Sequence, residues 1–232
     1  MKIKHSALRF LCLICVPPVI SQAGSGPWTT ISREHLCITE GAIEKTSGGA
    51  GRVSVPKMRA YVAEETAPAA ELRFTYLGPT SKDSALGSGV TRRQLGLKLR
   101  AQDACNLVYV MWRIEPESKL AVSVKQNAGE HTSAECGNRG YRNIKPVKAV
   151  AAPRLEAGQS HTLRAEMNRD ELRVFADNRE VWEGSVGSDA AQLEGPVGIR
   201  SDNAQVEFTL KVQMPDRGNG TASGCKSGVD SD

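Results

Sequence analysis

The sequence lacks any apolar run long enough to cross a membrane. Its one extended apolar segment, residues 10–20, is shorter than the ~20 residues that a membrane-spanning helix requires. Three basic residues precede this segment, and the small residues of SQA at 21–23 follow it, which is typical of a cleaved signal peptide. We therefore expect a signal peptide over residues 1–23 and a secreted or periplasmic protein without a transmembrane segment.

Several chemical signatures are also missing. The chain has no Gly-x-Ser-x-Gly elbow, which argues against a serine hydrolase built around that turn. After residue 23 it has no Cys-x-x-Cys pair with matching histidine spacing, so we expect no zinc site and no cofactor. The segment Ser201-Asp202-Asn203 could donate oxygens to calcium, although one Asp beside one Asn is more typical of a turn.

Excess charge of one sign is missing as well. The chain carries 30 basic and 26 acidic residues, and three of the basic residues belong to the expected signal peptide. The rest of the chain is therefore close to neutral, which makes it a poor candidate for nucleic-acid binding by bulk electrostatics.

Helical spacing of apolar residues is absent, and alternation replaces it. Every second residue is apolar in segments such as 163–167 and 206–212, which is typical of strands with one wet face. Residues 106–114 are apolar on both faces, as in a central strand or a strand beside a groove. Residues 52–63 are interrupted by Pro56 and are interpreted as an edge strand. Residues 127–146 form a long polar loop.

Short strands separated by Gly, Pro and Asn turns predict an all-β protein, a two-sheet antiparallel β-sandwich. We expect one domain over residues 24–214. Residues 215–232 are rich in Gly, Ser and Asp and are expected to form a disordered tail.

The carboxyl-terminal half resembles a known fold family. The hairpin LRAEMNRDELRVFADNREVWEG, followed by GPVGIRSDNAQVEF, is similar to the closing half of concanavalin A-like lectin/glucanase sandwiches. The similarity is clearest over residues 161–212 and is closest to the laminin-G-like branch and to bacterial 3-keto-disaccharide hydrolase-like domains. It implies a jelly-roll sandwich, a fold that carries lectins, hydrolases and interaction modules alike.

Four cysteines lie beyond the expected signal peptide, at 37, 105, 136 and 225. An even number in an exported chain predicts two disulfides, and four cysteines allow three pairings. We favour Cys105–Cys136, which would join a strand to the long polar loop. We also favour Cys37–Cys225, because terminal strands are neighbours in the sandwiches that this sequence resembles.

Candidate catalytic residues are few. The acidic Glu-x-Asp-x-Glu type of run found in the related glucanases is absent, which argues against a retaining glucanase. The long loop carries Glu130, His131 and Glu135, which could form an acid/base pair or could simply be solvated.

Candidate ligand-binding residues are more numerous. Tyr109 and Arg113 share one face of the central strand, and Trp112 takes the other; Tyr109 and Trp112 could instead belong to the core. Basic and aromatic residues of the wet faces and the long loop could line a groove for sugars: Lys98, Arg100, Tyr109, Arg113, Lys125, Arg139 and Tyr141.

Three functions are compatible with these patterns. The first is a secreted, non-catalytic module that binds carbohydrate or a cell-envelope polymer. The second is a hydrolase or lyase acting on saccharides, which requires two carboxylates, or His131 with a carboxylate, to converge in one cleft. The third is a structural or protein-interaction domain, which a groove filled by its own side chains would favour. The sequence does not predict an oligomeric state.

Overall fold

A computed structural model describes residues 26–63, 67–214 and Cys225. The expected signal peptide and all of the expected tail except Cys225 lie outside the described residues. Within them, the chain forms two antiparallel β-sheets packed face to face, which confirms the predicted β-sandwich. None of the described helices is long and apolar enough to span a membrane.

The strands are numbered in chain order. They are β1 (Trp28–Ile31), β2 (Leu36–Glu40), β3 (Glu44–Lys45), β4 (Gly51–Val53), β5 (Lys57–Val62), β6 (Ala69–Pro79), β7 (Arg93–Leu99), β8 (Leu107–Glu115), β9 (Lys119–Lys125), β10 (Tyr141–Asn143), β11 (Lys148–Ala149), β12 (Ser160–Asn168), β13 (Glu171–Ala176), β14 (Arg179–Ser185), β15 (Gly198–Asp202) and β16 (Ala204–Gln213). Two one-turn helices, α1 (Ser133–Cys136) and α2 (Ser188–Ala191), and a 3-10 turn at Arg33–His35 lie between them.

The strand order shows which distant segments become neighbours. The first sheet has the order β11-β14-β13-β12-β6-β16-β4-β3, and β1 also pairs with β16. The second sheet has the order β10-β9-β8-β7-β15-β5-β2. Strand β15 therefore joins β7 to β5 in the second sheet, and Asn203, with φ of 55°, turns the chain into β16 of the first sheet.

The core lies between the sheets and is built by the period-two alternation seen in the sequence. Leu72 and Phe74 of β6 face inward from the first sheet, and Val110 and Trp112 of β8 face them from the second; all four are buried. Phe74 and Trp112 meet edge to face, with ring centroids 5.8 Å apart, an arrangement that aromatic rings prefer.

The prediction of a single edge strand over residues 52–63 is wrong. The segment splits around Pro56 into β4 of the first sheet and β5 of the second, and β5 lies between β15 and β2 rather than at an edge. Proline has no backbone N–H to donate to a strand ladder, so it is tolerated where the chain leaves one sheet for the other.

The prediction of one long polar loop over residues 127–146 also needs correction. It contains α1 and β10, and β10 adds an edge strand to the second sheet by pairing with β9. Helix α1 begins with a capping box, in which Thr132 and Glu135 bond each other's backbone N–H groups. Both elements are very short. Helix α1 has four residues and β10 has three, so neither is long enough to show a periodic apolar pattern in the sequence.

Both favoured disulfides are present. Cys105–Cys136 joins the start of β8 to α1, with Cα atoms 5.9 Å apart. Cys37–Cys225 joins β2 to the chain beyond β16, with Cα atoms 5.4 Å apart.

Candidate functional site

An open groove crosses the outer face of the second sheet. Its volume is about 490 Å³, and its floor is formed by outward-facing residues of β5, β15 and β7–β10. One wall comes from the segment before β7, at residues 86–88 and 92, and the other from α1 and the turn after it. A Cβ atom on Gly87 would lie 4.0 Å from Cβ of Asn138, so the two walls approach to van der Waals distance.

The groove contains a pair of stacked tyrosines. Tyr109 of β8 and Tyr141 of β10 have ring centroids 5.9 Å apart and planes 24° from parallel. Tyr109 is buried, whereas Tyr141 is 40% exposed and presents an aromatic surface to solvent. The guanidinium of Arg200 lies 5.2 Å from the centroid of Tyr109, and Nζ of Lys125 lies 5.3 Å from that of Tyr141. These cation–π contacts help hold both rings in place.

A buried carboxylate organises the base of the groove. Oδ1 of Asp202 accepts a hydrogen bond from Arg59 at 2.6 Å, and Oδ2 accepts from Gln94 at 2.7 Å and from Arg200 at 2.9 Å. Burial alone would raise the pKa of the Asp202 carboxyl. The charges of Arg200 and Arg59, with the hydrogen bonds from Gln94 and Arg200, outweigh it and lower this pKa from 3.8 to about 2.

The wall before β7 is fixed by Asn203. Its side-chain Nδ2 donates to the backbone carbonyls of Ser84 and Arg92, both at 2.9 Å, and its Oδ1 accepts from the backbone N–H of Ser84 at 2.8 Å. Asn203 tolerates the left-handed backbone of the turn, so one residue both turns the chain between sheets and pins a loop about 110 residues earlier in the chain. From the sequence alone, Asn203 was expected to form a turn or to bind calcium, and its hydrogen bonds to residues 84 and 92 were not predicted.

The lining of the groove is strongly basic. Six basic residues contribute to it: Lys57, Arg59, Arg92, Arg113, Lys125 and Arg200. Among the described residues that line it, none is Asp or Glu. The pKa of Arg113 is lowered because the guanidinium is half-buried and lies near the charge of Arg92.

The structure brings together four of the seven predicted ligand-binding residues. Tyr109, Arg113, Lys125 and Tyr141 all line the groove. The other three lie elsewhere. Lys98 is buried on the outer face of β7. Arg100 donates to Sδ of Met167 and to the carbonyl of Leu193, and Arg139 pairs with Glu130 outside the lining.

The three candidate catalytic residues stabilise the loop that contains α1. Glu135 accepts from the backbone N–H groups of His131 and Thr132, and these hydrogen bonds lower the pKa of its carboxyl. Nδ1 of His131 lies 2.8 Å from Oδ2 of Asp103, whose hydrogen bond and negative charge raise the pKa of this imidazole. Glu130 pairs with Arg139 at the loop surface.

The predicted weak calcium segment is engaged by protein groups. Both carboxylate oxygens of Asp202 bind side chains of the sheet, and the Asn203 side chain binds backbone groups. Across the described residues, no group of three or more His, Cys, Asp or Glu is arranged to hold a metal ion.

Four basic residues of the groove were missed by the sequence analysis: Lys57, Arg59, Arg92 and Arg200. Alternation with buried Met58 and Ala60 places Lys57 and Arg59 on the outer face of β5, so a local signal existed for them. Nothing local shows that β5 and β7 both pair with β15, and this pairing is what brings the cations into one groove.

Comparison with known proteins supports the fold. No protein-family model matches the sequence, and no curated protein sequence is significantly similar to it. Among solved structures, the carbohydrate-binding module CBM66 from Bacillus subtilis is similar, with a TM-score of 0.51 and 17% identity over 78% of this chain and 96% of that chain. A structure from work on endo-acting O-glycanases of the human gut microbiota has a TM-score of 0.51 and 7% identity, over 79% of this chain and 94% of that chain.

At 17% and 7% sequence identity, the similarity to these two structures shows a shared fold and nothing more. The chain shares a two-sheet β-sandwich architecture with these two structures. These neighbours are consistent with the concanavalin A-like sandwich that the sequence resembles.

Proposed function

We propose that the protein is a secreted or periplasmic, non-catalytic module that binds a glycan or a cell-envelope polymer in the groove of the second sheet. The observation that carries this proposal is the exposed ring of Tyr141, stacked on buried Tyr109, in an open groove that also holds side-chain hydrogen-bond donors. The finer assignment to the laminin-G-like or 3-keto-disaccharide hydrolase-like branch stays a prediction.

The chemistry of the groove matches that of a sugar. A pyranose ring has an apolar face, which can stack on an aromatic ring, and hydroxyl groups at its edge, which need donors and acceptors. Tyr141 supplies the aromatic ring for stacking, while Ser123, Asn138 and Asn143 supply hydrogen-bond donors and acceptors for the hydroxyl groups. The similarity in fold to a carbohydrate-binding module supports this interpretation.

The cysteines support a location outside the cytoplasm. Disulfides persist in oxidising compartments, and both pairs expected from the sequence are formed. This agrees with the signal peptide that the sequence predicts over residues 1–23.

A glycan array followed by isothermal titration tests the proposal. We expect the oxidised protein to bind at least one polysaccharide, and Tyr141→Ala to weaken that binding roughly tenfold through loss of stacking. Trp28→Ala is the matched control, because Trp28 is 39% exposed but lies on β1 of the first sheet, and it should bind as the unchanged protein does. Failure to bind any carbohydrate, with the fold intact by circular dichroism, would overturn the proposal.

The described lining of the groove favours binding over hydrolysis. A glycosidase of the usual kind places two carboxylates across the scissile bond, and no carboxylate is found among the described lining residues. The His131–Asp103 pair does form, but Asp103 also accepts from the backbone N–H of Cys105 and from Asn106, which ties the pair to the base of the loop. We therefore expect no release of reducing ends from a bound polysaccharide, measured over hours.

A purely structural role is less well supported. Such a domain was expected to fill the groove with its own side chains. The groove instead retains about 490 Å³ of open volume in the described structure.

A further inference from the structure

Three cations in the groove form no ion pair, although the charge of Glu117 acts on one of them, Arg113, from beyond ion-pair distance. Lys57, Arg92 and Arg113 form no side-chain hydrogen bond and no ion pair with any described residue. Nε of Arg113 is buried without a hydrogen-bond partner. Arg93 is adjacent to Arg92 in sequence and behaves differently, because it pairs with both Glu115 and Asp83.

The neighbouring cations are held rigidly beneath these three. Arg59 and Arg200 share the carboxylate of Asp202, and Nζ of Lys125 donates to the carbonyl of Ala104 at 2.9 Å. Nε of Arg59 also lies 3.8 Å from Oε2 of Glu40, so these guanidinium groups are compensated by carboxylates of the protein. The three cations without ion pairs are therefore the ones whose charge a ligand can neutralise.

The positive charges extend across the sheet rather than meeting at one point. Arg113, Gln94, Asp202 and Lys57 are cross-strand neighbours on β8, β7, β15 and β5 in turn. Adjacent strands are ~4.8 Å apart, so the backbones of Arg113 and Lys57 are separated by about 14 Å. This spacing suits a ligand that carries several negative charges along its length.

We infer that the ligand is an anionic polysaccharide, with carboxylate or sulfate groups repeated along the chain. This inference rests on the proposed function and names the class of ligand that the groove binds. The hydroxyl groups of a neutral glycan could accept hydrogen bonds from these cations but would leave their charge uncompensated in a partly dehydrated groove, which costs free energy. Carboxylates and sulfates offer oxygen atoms to the guanidinium fork and form strong, charge-assisted hydrogen bonds.

Two matched pairs of polysaccharides test the inference by titration. Polygalacturonate is compared with its fully methyl-esterified form, and dextran sulfate is compared with neutral dextran. We expect at least one anionic member to bind tenfold or more tightly than its neutral partner. We also expect this preference to shrink at 0.5 M NaCl, because salt screens exposed charges. The two pairs distinguish a carboxylate ligand from a sulfate ligand.

Substitutions in the groove test whether its cations cause the preference for anionic polymers. Arg113→Gln should weaken binding of the anionic polymer about tenfold or more, because a charge-assisted hydrogen bond is lost, and should leave binding of the neutral partner nearly unchanged. Arg73→Gln is the control, since Arg73 is exposed on β6 of the other sheet. Lys57→Gln is the second test variant if Arg113→Gln does not fold.

The outcomes separate this inference from the proposed function. Equal binding of charged and neutral members would overturn the anionic ligand and leave carbohydrate binding intact. If none of these polymers and no glycan of the array binds, both fail. Equally tight binding of duplex DNA with the same dependence on Arg113 would overturn the assignment to saccharides and indicate a general polyanion site.

Discussion

Asp202 fixes the arrangement of charge beneath the groove. It is fully buried, and its two oxygens position Arg59, Arg200 and Gln94 from three different strands. Arg59 is itself 2% exposed, and Asp202 at 2.6 Å is a closer carboxylate partner than Glu40 at 3.8 Å, so its guanidinium depends mainly on Asp202 for compensation. Removing one partner of a buried pair leaves the other charge unpaired, which is usually more damaging than the loss of a surface ion pair.

We predict that Asp202→Asn lowers the free energy of unfolding by about 3–5 kcal/mol, because Arg59 stays charged and buried. Urea denaturation followed by fluorescence measures this change. Glu207→Gln is the control. It removes the exposed Arg52–Glu207 pair of the first sheet and should cost less than about 1 kcal/mol. A cost for Asp202→Asn no larger than that of the control would contradict the prediction.

The lowered pKa of Asp202 also predicts that the folded protein loses stability in acid. The pKa of Asp202 is about 2 in the folded protein against an ordinary value of 3.8. Because the pKa of Asp202 is lower in the folded protein than in the unfolded chain, the ionised carboxylate stabilises the folded state at any pH above the unfolded pKa. This stabilisation is lost as the pH falls from about 4 to 2. We expect the unchanged protein to lose roughly 2 kcal/mol of stability over this range from Asp202 alone. Asp202→Asn should show a correspondingly shallower loss in parallel denaturation curves.

At the scale of secondary-structure elements, the segment between β9 and β10 builds a wall of the groove. Helix α1 ends at Cys136, and its disulfide to Cys105 ties the segment to the start of β8. Ser133 and Asn138, which line the groove, lie within a few residues of this bond. The disulfide therefore links the stability of the sandwich to the shape of the groove.

Replacing both Cys105 and Cys136 by Ala should reduce the free energy of unfolding by about 4 kcal/mol, the chain-entropy value for a loop of this length. The wall should also become less ordered, so glycan affinity should fall as well. Chemical denaturation and titration measure the two effects. Arg139→Ala removes the exposed Arg139–Glu130 pair and the hydrogen bonds from Arg139 to the carbonyls of Glu135 and Cys136, and it should cost about 1–2 kcal/mol, less than the loss of the disulfide. If the double variant is as stable as Arg139→Ala, the disulfide does not stabilise the fold as proposed.

The elements also show where sequence patterns fail. The alternation in β6, β12 and β16 was sufficient to predict strands, because each has one buried face over many residues. Strand β10 is three residues long and none of its residues is buried, so it has no apolar pattern to recognise. Its existence depends on the edge of β9, which a local pattern does not contain.

For the molecule as a whole, packing between the two sheets supports the groove from behind. Trp112 faces the core from β8, the strand whose other face carries Tyr109 and Arg113 into the groove. Phe74 meets Trp112 from the opposite sheet. The position of the groove residues thus depends on contacts on the far side of their own strand.

Phe74→Ala should lower the free energy of unfolding by about 3–5 kcal/mol, because it leaves a cavity beside Trp112 in the closed core. Thermal and urea unfolding measure the change, and the near-ultraviolet circular dichroism of Trp112 should weaken. Val147→Ala, at a position that is 87% exposed, should shift stability by no more than about 0.5 kcal/mol. A well-tolerated Phe74→Ala would mean that the two sheets do not depend on this contact.

The order of residues alone was enough to predict the layers and the face of β8 that carries Tyr109 and Arg113, because period-two alternation is a local property. The number of cysteines predicted two disulfides, but the pairing of Cys37 with Cys225 was implied by the resemblance to a known sandwich family. The groove itself depends on strand order. Lys57, Arg113 and Arg200 come from segments more than 50 residues apart, and they line the same groove because β15 lies between β5 and β7. Alternation states which face a side chain takes, but not which strand will lie beside it, since pairing is chosen by packing across the whole sandwich.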